Sequence, residues 1–252
     1  MEDSLQYRYF TKEQFDKIDP EAIPKHVAII PDGNRRWAKS RELAPSKGHE
    51  EGAPTLVDIV CGAKDLGVKT ITFYIFSTEN WIRDQDEIDA LMMLTHIFLI
   101  DQRPIMLKEG IRVQTIGEVS KLPEYVQQTI EESKKATAHC DSINLVLALN
   151  YGARNELTRV MQSLSGQVLK GHLLPDAISE DLINNMLDTA PYGDPELLIR
   201  TSGELRLSNF LLWQLSYAEI YVTDVLWPDF RPSHLYTAIL SYKQREKRFG
   251  GV

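Results

Sequence analysis

Residues His26 to Lys39, H-V-A-I-I-P-D-G-N-R-R-W-A-K, decide the fold class and point to the chemistry. Val27 to Ile30 is a short unbroken apolar run rich in β-branched residues, the pattern of a strand buried on both faces of a parallel sheet. Asp32 comes just past its end. Gly33 turns the backbone without a Cβ penalty and Asn34 tolerates left-handed geometry, so the turn can aim successive N–H groups at an anion. Arg35, Arg36, Trp37, Ala38 and Lys39 then open a helix, which puts two guanidinium groups and a positive helix end beside one carboxylate. Asp32 would repel a phosphate unless a divalent cation lay between them, whereas the arginines attract it directly, so a diphosphate with Mg2+ suits both. Asp-Gly-Asn is also an ordinary turn with Asp32 as a helix cap, and the choice depends on the rest of the chain.

Outward from this stretch, strands and helices alternate. Residues 1–24 read as a polar arm with a short helix near Lys12 to Ile18, and 25–252 as one domain without a linker inside it. His49 precedes a helix from Glu50 to Leu66 that has Pro54 in its first turn and Gly67 as its stop. Thr70 to Phe76 is a second strand, followed at once by the polar cluster Ser77, Thr78, Glu79, Asn80, Trp81, Ile82 and Arg83. A long amphipathic helix from Asp86 to Glu109 carries Ile88, Leu91, Met92, Leu94, Ile97 and Phe98, a face that packs on the sheet or walls an apolar pocket. Ile111 to Ile116 and Ile143 to Leu149 are further strands, the latter running into Asn150 to Arg154. Leu197 to Ile199 is a fifth strand, after which Arg200, Thr201, Ser202, Gly203, Glu204, Arg206 and Ser208 form a second anion cradle. Ala218 to Thr223, with Glu219, is a sixth strand. A basic helix from Leu235 to Arg248, expected to present a solvated face, ends the pattern. The fold class is α/β, a six-stranded, mainly parallel sheet flanked by helices, with ligands bound where the carboxyl ends of the strands open a crevice.

A formal net charge of −8 argues against a general nucleic-acid binder. The two cysteines, Cys61 and Cys140, lack metal-ligand spacing and suit a reducing compartment. The first residues have acids where a signal peptide has bases. Ala90 to Ile100 falls far short of the roughly 20 apolar residues that span a bilayer, so any membrane contact is expected to be peripheral. There is no G-x-x-x-x-G-K-[ST], no G-x-G-x-x-G and no G-x-S-x-G.

Taken together, H-V-A-I-I-P-D-G-N-R-R-W-A-K, G-H, F-S-T-E-N-W-I-R, L-N-Y-G-A-R, I-R-T-S-G-E-L-R-L-S-N-F-L-L-W-Q and Y-A-E-I-Y-V-T-D-V-L-W-P-D-F resemble, in order and over nearly the whole chain, the cis-prenyltransferases, specifically undecaprenyl diphosphate synthases. The resemblance implies a cytoplasmic, Mg2+-dependent homodimer that condenses isopentenyl diphosphate onto an allylic diphosphate such as farnesyl diphosphate, with a hydrophobic tunnel for the growing chain and peripheral membrane contact at product release. It implies that Asp32 holds Mg2+ and guides the allylic diphosphate, whose oxygens meet Gly33, Asn34, Arg35, Arg36 and His49, with Trp37 beside them. Arg200, Arg206, Leu207 and Ser208 are implied at isopentenyl diphosphate. Ser77, Thr78, Glu79, Asn80, Trp81 and Arg83 are implied between the substrates, Asn80 near the departing proton, and Glu219 as a second metal holder. Relatives usually carry an arginine where this chain has Pro45, and Lys47 and Arg41 are the candidates to replace it. Arg35 and Ser202 stand where many bacterial members have glycine. Ile75 and Ile143 are expected to narrow the tunnel.

Overall fold

The computed structural model describes residues 8–243. Six strands, β1 (His26–Ile30), β2 (Thr70–Ser77), β3 (Ile111–Ile116), β4 (Ile143–Tyr151), β5 (Leu197–Arg200) and β6 (Glu219–Val222), form one sheet in the order β3-β4-β2-β1-β5-β6. Every pairing is parallel, including the β5–β6 edge, so the sheet is wholly rather than mainly parallel. All five residues of β1 are buried: the apolar run Val27 to Ile30, as the middle of such a sheet requires, and His26 before it. The pleat divides them. Val27 and Ile29 join Leu145, Leu147, Leu197 and Ile199 in the larger core, while Ala28 and Ile30 face the other way with Val146, Ala148, Leu198 and Phe210.

The helices are α1 (Lys12–Asp16), α2 (Asn34–Lys39), α3 (Pro45–Leu66), α4 (Gln85–Asp101), α5 (Arg103–Lys108), α6 (Glu124–Ala136), α7 (Ala153–Leu169), α8 (Glu180–Asn184) and α9 (Pro232–Lys243). Helices α3, α4 and α9 depart from the sequence reading. Helix α3 begins at Pro45, whose fixed φ suits the first helical position, so His49 lies inside the helix and Pro54 in its interior. The long helix expected from Asp86 to Glu109 is divided at Gln102, where Pro104 in the first turn of α5 cannot donate to the preceding turn. Helix α9 is not merely a solvated face. It buries Leu235, Tyr236, Ala238, Ile239 and Tyr242 and packs on α3, while the basic residues after Lys243 lie outside the described residues.

The arm is tied down as well. Phe10 is 2% exposed and packs edge-on against Phe15 and beside Tyr236, and the Tyr9 hydroxyl donates to Asp58 at 2.9 Å. Helices α3 and α4 lie over the larger-core face of the sheet and leave a gap above the strands' carboxyl ends. No described helix is long and apolar enough to cross a membrane.

Candidate active site

That gap is a cavity of about 680 Å³. Its polar end gathers Asp32, Arg35, Arg36, His49, Asn80, Arg83, Arg200, Arg206 and Ser208 from the ends of β1, β2 and β5 and from α2 and α3. Its apolar end is walled by Leu56 of α3, Ile75 of β2, Leu91, Leu94 and Phe98 of α4 and Leu147 of β4. One chamber therefore has a cationic mouth and a greasy depth, the shape required by a molecule with an anionic head and a hydrocarbon tail.

The two anion cradles read from the sequence are one structure. Arg200 is 3% exposed and donates to Asp32 Oδ2 at 2.9 Å, to Ser208 Oγ at 2.9 Å and to the Arg206 carbonyl. The Gly33 N–H donates to Asp32 Oδ1 at 2.7 Å. Gly33 has φ +107°, and a Cβ there would stand 2.9 Å from Leu226 and 3.0 Å from Ser202, so the turn at β1 can approach the β5 loop only with glycine. Arg36 spans the same gap, donating to Ser202 Oγ at 2.6 Å and to Glu204 at 3.0 Å, and Glu204 also pairs with Arg206. Ser202, Ser208, Asn209 and Leu211 all have positive φ, which concentrates backbone strain in the loop that carries the second cradle.

Opposite, Asn80 Oδ1 accepts the Ser77 N–H at 2.9 Å and caps the turn Thr78–Ile82, so its NH2 group has no hydrogen-bond partner among the described residues. Arg83 donates to Glu87 at 2.8 Å, and Arg35 approaches the same carboxylate at 3.8 Å. His49 is held well below the ordinary imidazole range, at about 4, first by burial and then by Arg83. It is neutral at pH 7. Among the described residues, its buried Nε2, Asn34 Oδ1 and Arg200 Nε have no hydrogen-bond partner. Buried polar atoms left open around one cavity mark where a polar ligand would complete the hydrogen bonding.

Several residues implied for the site are not brought into the cavity. The Trp37 indole is buried and donates to Asp229 at 2.8 Å, away from the opening. Trp81 donates to Asn150 at 2.8 Å and packs edge-on against Phe76. The Thr78 hydroxyl turns to Glu79, and Leu207 packs beneath the other face of the sheet. Glu219 opens β6 and is level with Leu197 and hence Val27. Asp32 lies five residues beyond Val27, roughly 16 Å of strand at about 3.3 Å per residue, so one chain does not bring the two carboxylates together. Neither candidate for the missing arginine is free: Arg41 stacks over Trp37 at 4.0 Å and pairs with Asp229, and Lys47 pairs with Glu50. Ile75 lines the cavity, but Ile143 does not. It sits in the core at the amino end of β4, and Leu147, four residues on and on the same face, reaches the wall instead.

The motif reading missed Glu87 and Asn209. Glu87 stands four residues after Arg83, the helical ion-pair spacing that could have flagged it. Asn209 lines the cavity directly after Ser208 and carried no separate signal.

A family model described as "Putative undecaprenyl diphosphate synthase" matches residues 30–250. The chain is 47% identical over 239 residues to the ditrans,polycis-undecaprenyl-diphosphate synthase of Lactiplantibacillus plantarum, covering 94% of this chain and 92% of that one. It is 46% identical over 243 residues to the isoprenyl transferase of Bacillus subtilis, covering 96% and 92%. Among solved structures, lavandulyl diphosphate synthase from Lavandula x intermedia, in complex with dimethylallyl diphosphate, superposes with a TM-score of 0.89 at 37% identity, covering 92% of this chain and 100% of that one.

Proposed function

The chain belongs to the undecaprenyl diphosphate synthase family of cis-prenyltransferases, and on that footing we propose that it condenses isopentenyl diphosphate onto an allylic diphosphate, farnesyl diphosphate, in a Mg2+-dependent reaction that builds undecaprenyl diphosphate. The observation that carries this reading is a cavity that has arginines at its mouth and Leu91, Leu94, Phe98 and Leu147 in its depth. Each added isoprene unit moves five carbons into that depth at roughly 0.8 kcal/mol per CH2 equivalent, so elongation is favoured until the space is filled.

Cleavage of the allylic carbon–oxygen bond sends its electron pair to the diphosphate, and the double bond of isopentenyl diphosphate attacks the carbon left behind. Arg36 and neutral His49, whose buried Nε2 has no partner among the described residues, hold the allylic diphosphate. Arg200, Arg206 and Ser208 hold the other. Asn80 offers its NH2 end, so it positions the group that takes the departing proton and does not take the proton itself. The donors suit Mg2+: Asp32 presents a carboxylate and Asn34 Oδ1 lacks a partner among the described residues, where no cluster of three His, Cys, Asp or Glu could hold an ion alone. Mg2+ is commonly bound by one or two carboxylates with substrate phosphates supplying the rest. When bound, it neutralises the charge that builds on the leaving diphosphate.

A homodimer is part of the proposal, and a role for Glu219 at the metal is proposed only across two copies; sedimentation of the pure protein tests the first. A shorter product is the second reading, favoured by Ile75 in the cavity wall. Both are decided by incubating the protein with farnesyl diphosphate, labelled isopentenyl diphosphate and Mg2+, with a chelated control, and sizing the lipids. A metal-dependent product of undecaprenyl length supports the first reading and a shorter ladder the second. Absence of product with any allylic starter overturns the catalytic reading.

A further inference from the structure

Asn209 has no role in the proposed chemistry, yet it joins three loops of the site. Its Nδ2 donates to Glu79 Oε1 at 2.7 Å, its Oδ1 accepts the Arg154 N–H at 2.9 Å and its carbonyl accepts the Ala153 N–H at 2.8 Å. The orientation of the amide is fixed by these partners: a backbone N–H can only donate, so the oxygen must face Arg154 and the NH2 must face the carboxylate. The backbone is left-handed at φ +62°, a conformation asparagine tolerates better than most residues. The junction has no slack. A Cβ on Gly152 would stand 2.8 Å from Asn209 Nδ2 and would also collide with the Thr78 hydroxyl.

The neighbours in sequence give this knot its meaning. Asn209 directly follows Ser208, which accepts from Arg200, and Glu79 directly precedes Asn80. One side-chain amide therefore bridges the loop that carries the Arg200–Ser208 cradle and the turn that carries Asn80.

We propose that Asn209 is a positioning residue for prenyl transfer, holding the isopentenyl diphosphate cradle in register with Asn80 through its bond to Glu79. The assignment rests on the prenyl-transfer reading above. It predicts a polarity requirement. Asn209→Asp keeps the acceptor toward Arg154 but sets a carboxylate against Glu79, whereas Asn209→Asp combined with Glu79→Gln restores a hydrogen bond of reversed direction at unchanged net charge.

The test compares steady-state kinetics of the wild type, Asn209→Asp and the double variant. For Asn209→Asp the KM for isopentenyl diphosphate is expected to rise about tenfold, the size of a lost charge-assisted hydrogen bond, with the allylic KM within about twofold and the melting temperature nearly unchanged. The double variant is expected to regain all but about threefold of the loss. An unaltered isopentenyl KM in Asn209→Asp, or a double variant no better than Asn209→Asp, overturns the proposal. Amide hydrogen exchange at Ser77 to Asn80 reads the same lock without turnover: faster exchange in Asn209→Asp and recovery in the double variant support it, and no change overturns it. A wild type that incorporates no isopentenyl diphosphate would instead defeat the prenyl-transfer reading.

Discussion

The Arg200 guanidinium donates to Asp32 Oδ2 at 2.9 Å, joining residues 168 apart in the chain and neutralising a cation that is otherwise almost wholly buried. The ends of β1 and β5, neighbours in the sheet, are thereby one electrostatic unit. Replacing Asp32 by Ala is expected to cut turnover on the order of 10² to 10³-fold, the size typical of a lost transition-state contact. Stability should fall far less than the ~3–5 kcal/mol of a fully buried pair. Asp32 is about one-third exposed, and Arg200 keeps Ser208 and the Arg206 carbonyl. Turnover with and without Mg2+, alongside thermal melting, checks both parts; near-normal rates with Mg2+ would remove Asp32 from the metal site.

Asn80 makes a sharper test of the proton step. Its oxygen is spent on the Ser77 N–H. Asn80→Asp keeps that cap and loses the donor, so its kcat should drop by about 10² with the fold intact. Asn80→Ala loses both and should also cost about 1 kcal/mol of stability. An aspartate variant as active as the wild type would mean that an acceptor, not a donor, is needed there.

The strands were legible because a parallel sheet buried on both faces leaves apolar runs, and β1 carried that signal from Val27 to Ile30. The cradle residues were legible because they follow strand ends directly. What was not legible depends on side-chain direction. Trp37 and Trp81 sit in the motifs but turn their indoles to Asp229 and Asn150. Ile143 and Leu147 share one face of β4, and only their height along the strand, set by the register with β2, decides which reaches the cavity. Asn209 is important through loops distant in sequence, and no local pattern announces such a contact.

That difference in height separates two substitutions of similar chemistry. Ile75→Ala enlarges the apolar end of the cavity and should shift the lipid products to greater length, as should Phe98→Ala. Ile143→Ala removes a side chain that is 2% exposed and outside the cavity. It should cost about 2–4 kcal/mol of stability and leave product length unaltered. Chromatographic sizing of the products with denaturant melts distinguishes the cases, and a longer product from Ile143→Ala would place Ile143 in the cavity wall.

His26 links stability to pH. It is 1% exposed at the start of β1, with Nδ1 on the Gly193 carbonyl at 2.8 Å and Nε2 on Thr72 Oγ1 at 2.7 Å. Burial pushes its pKa down to about 4, a fall that the Gly193 carbonyl offsets only in part. In the unfolded chain it takes a proton near the ordinary value of 6.5, so its contribution is intact above that pH and is lost as the pH falls from 6.5 toward 4. The loss could reach about 3 kcal/mol at about 1.4 kcal/mol per pH unit. Buried Glu156, whose carboxyl is pushed up chiefly by burial, works in the opposite direction, because the fold favours its protonated form. The informative quantity is therefore a difference between variants. His26→Gln should be less stable than the wild type at pH 7, with the gap narrowing steadily between pH 6.5 and 4.5 in urea titrations. A gap that stayed constant across that range would show that His26 does not carry the acid sensitivity.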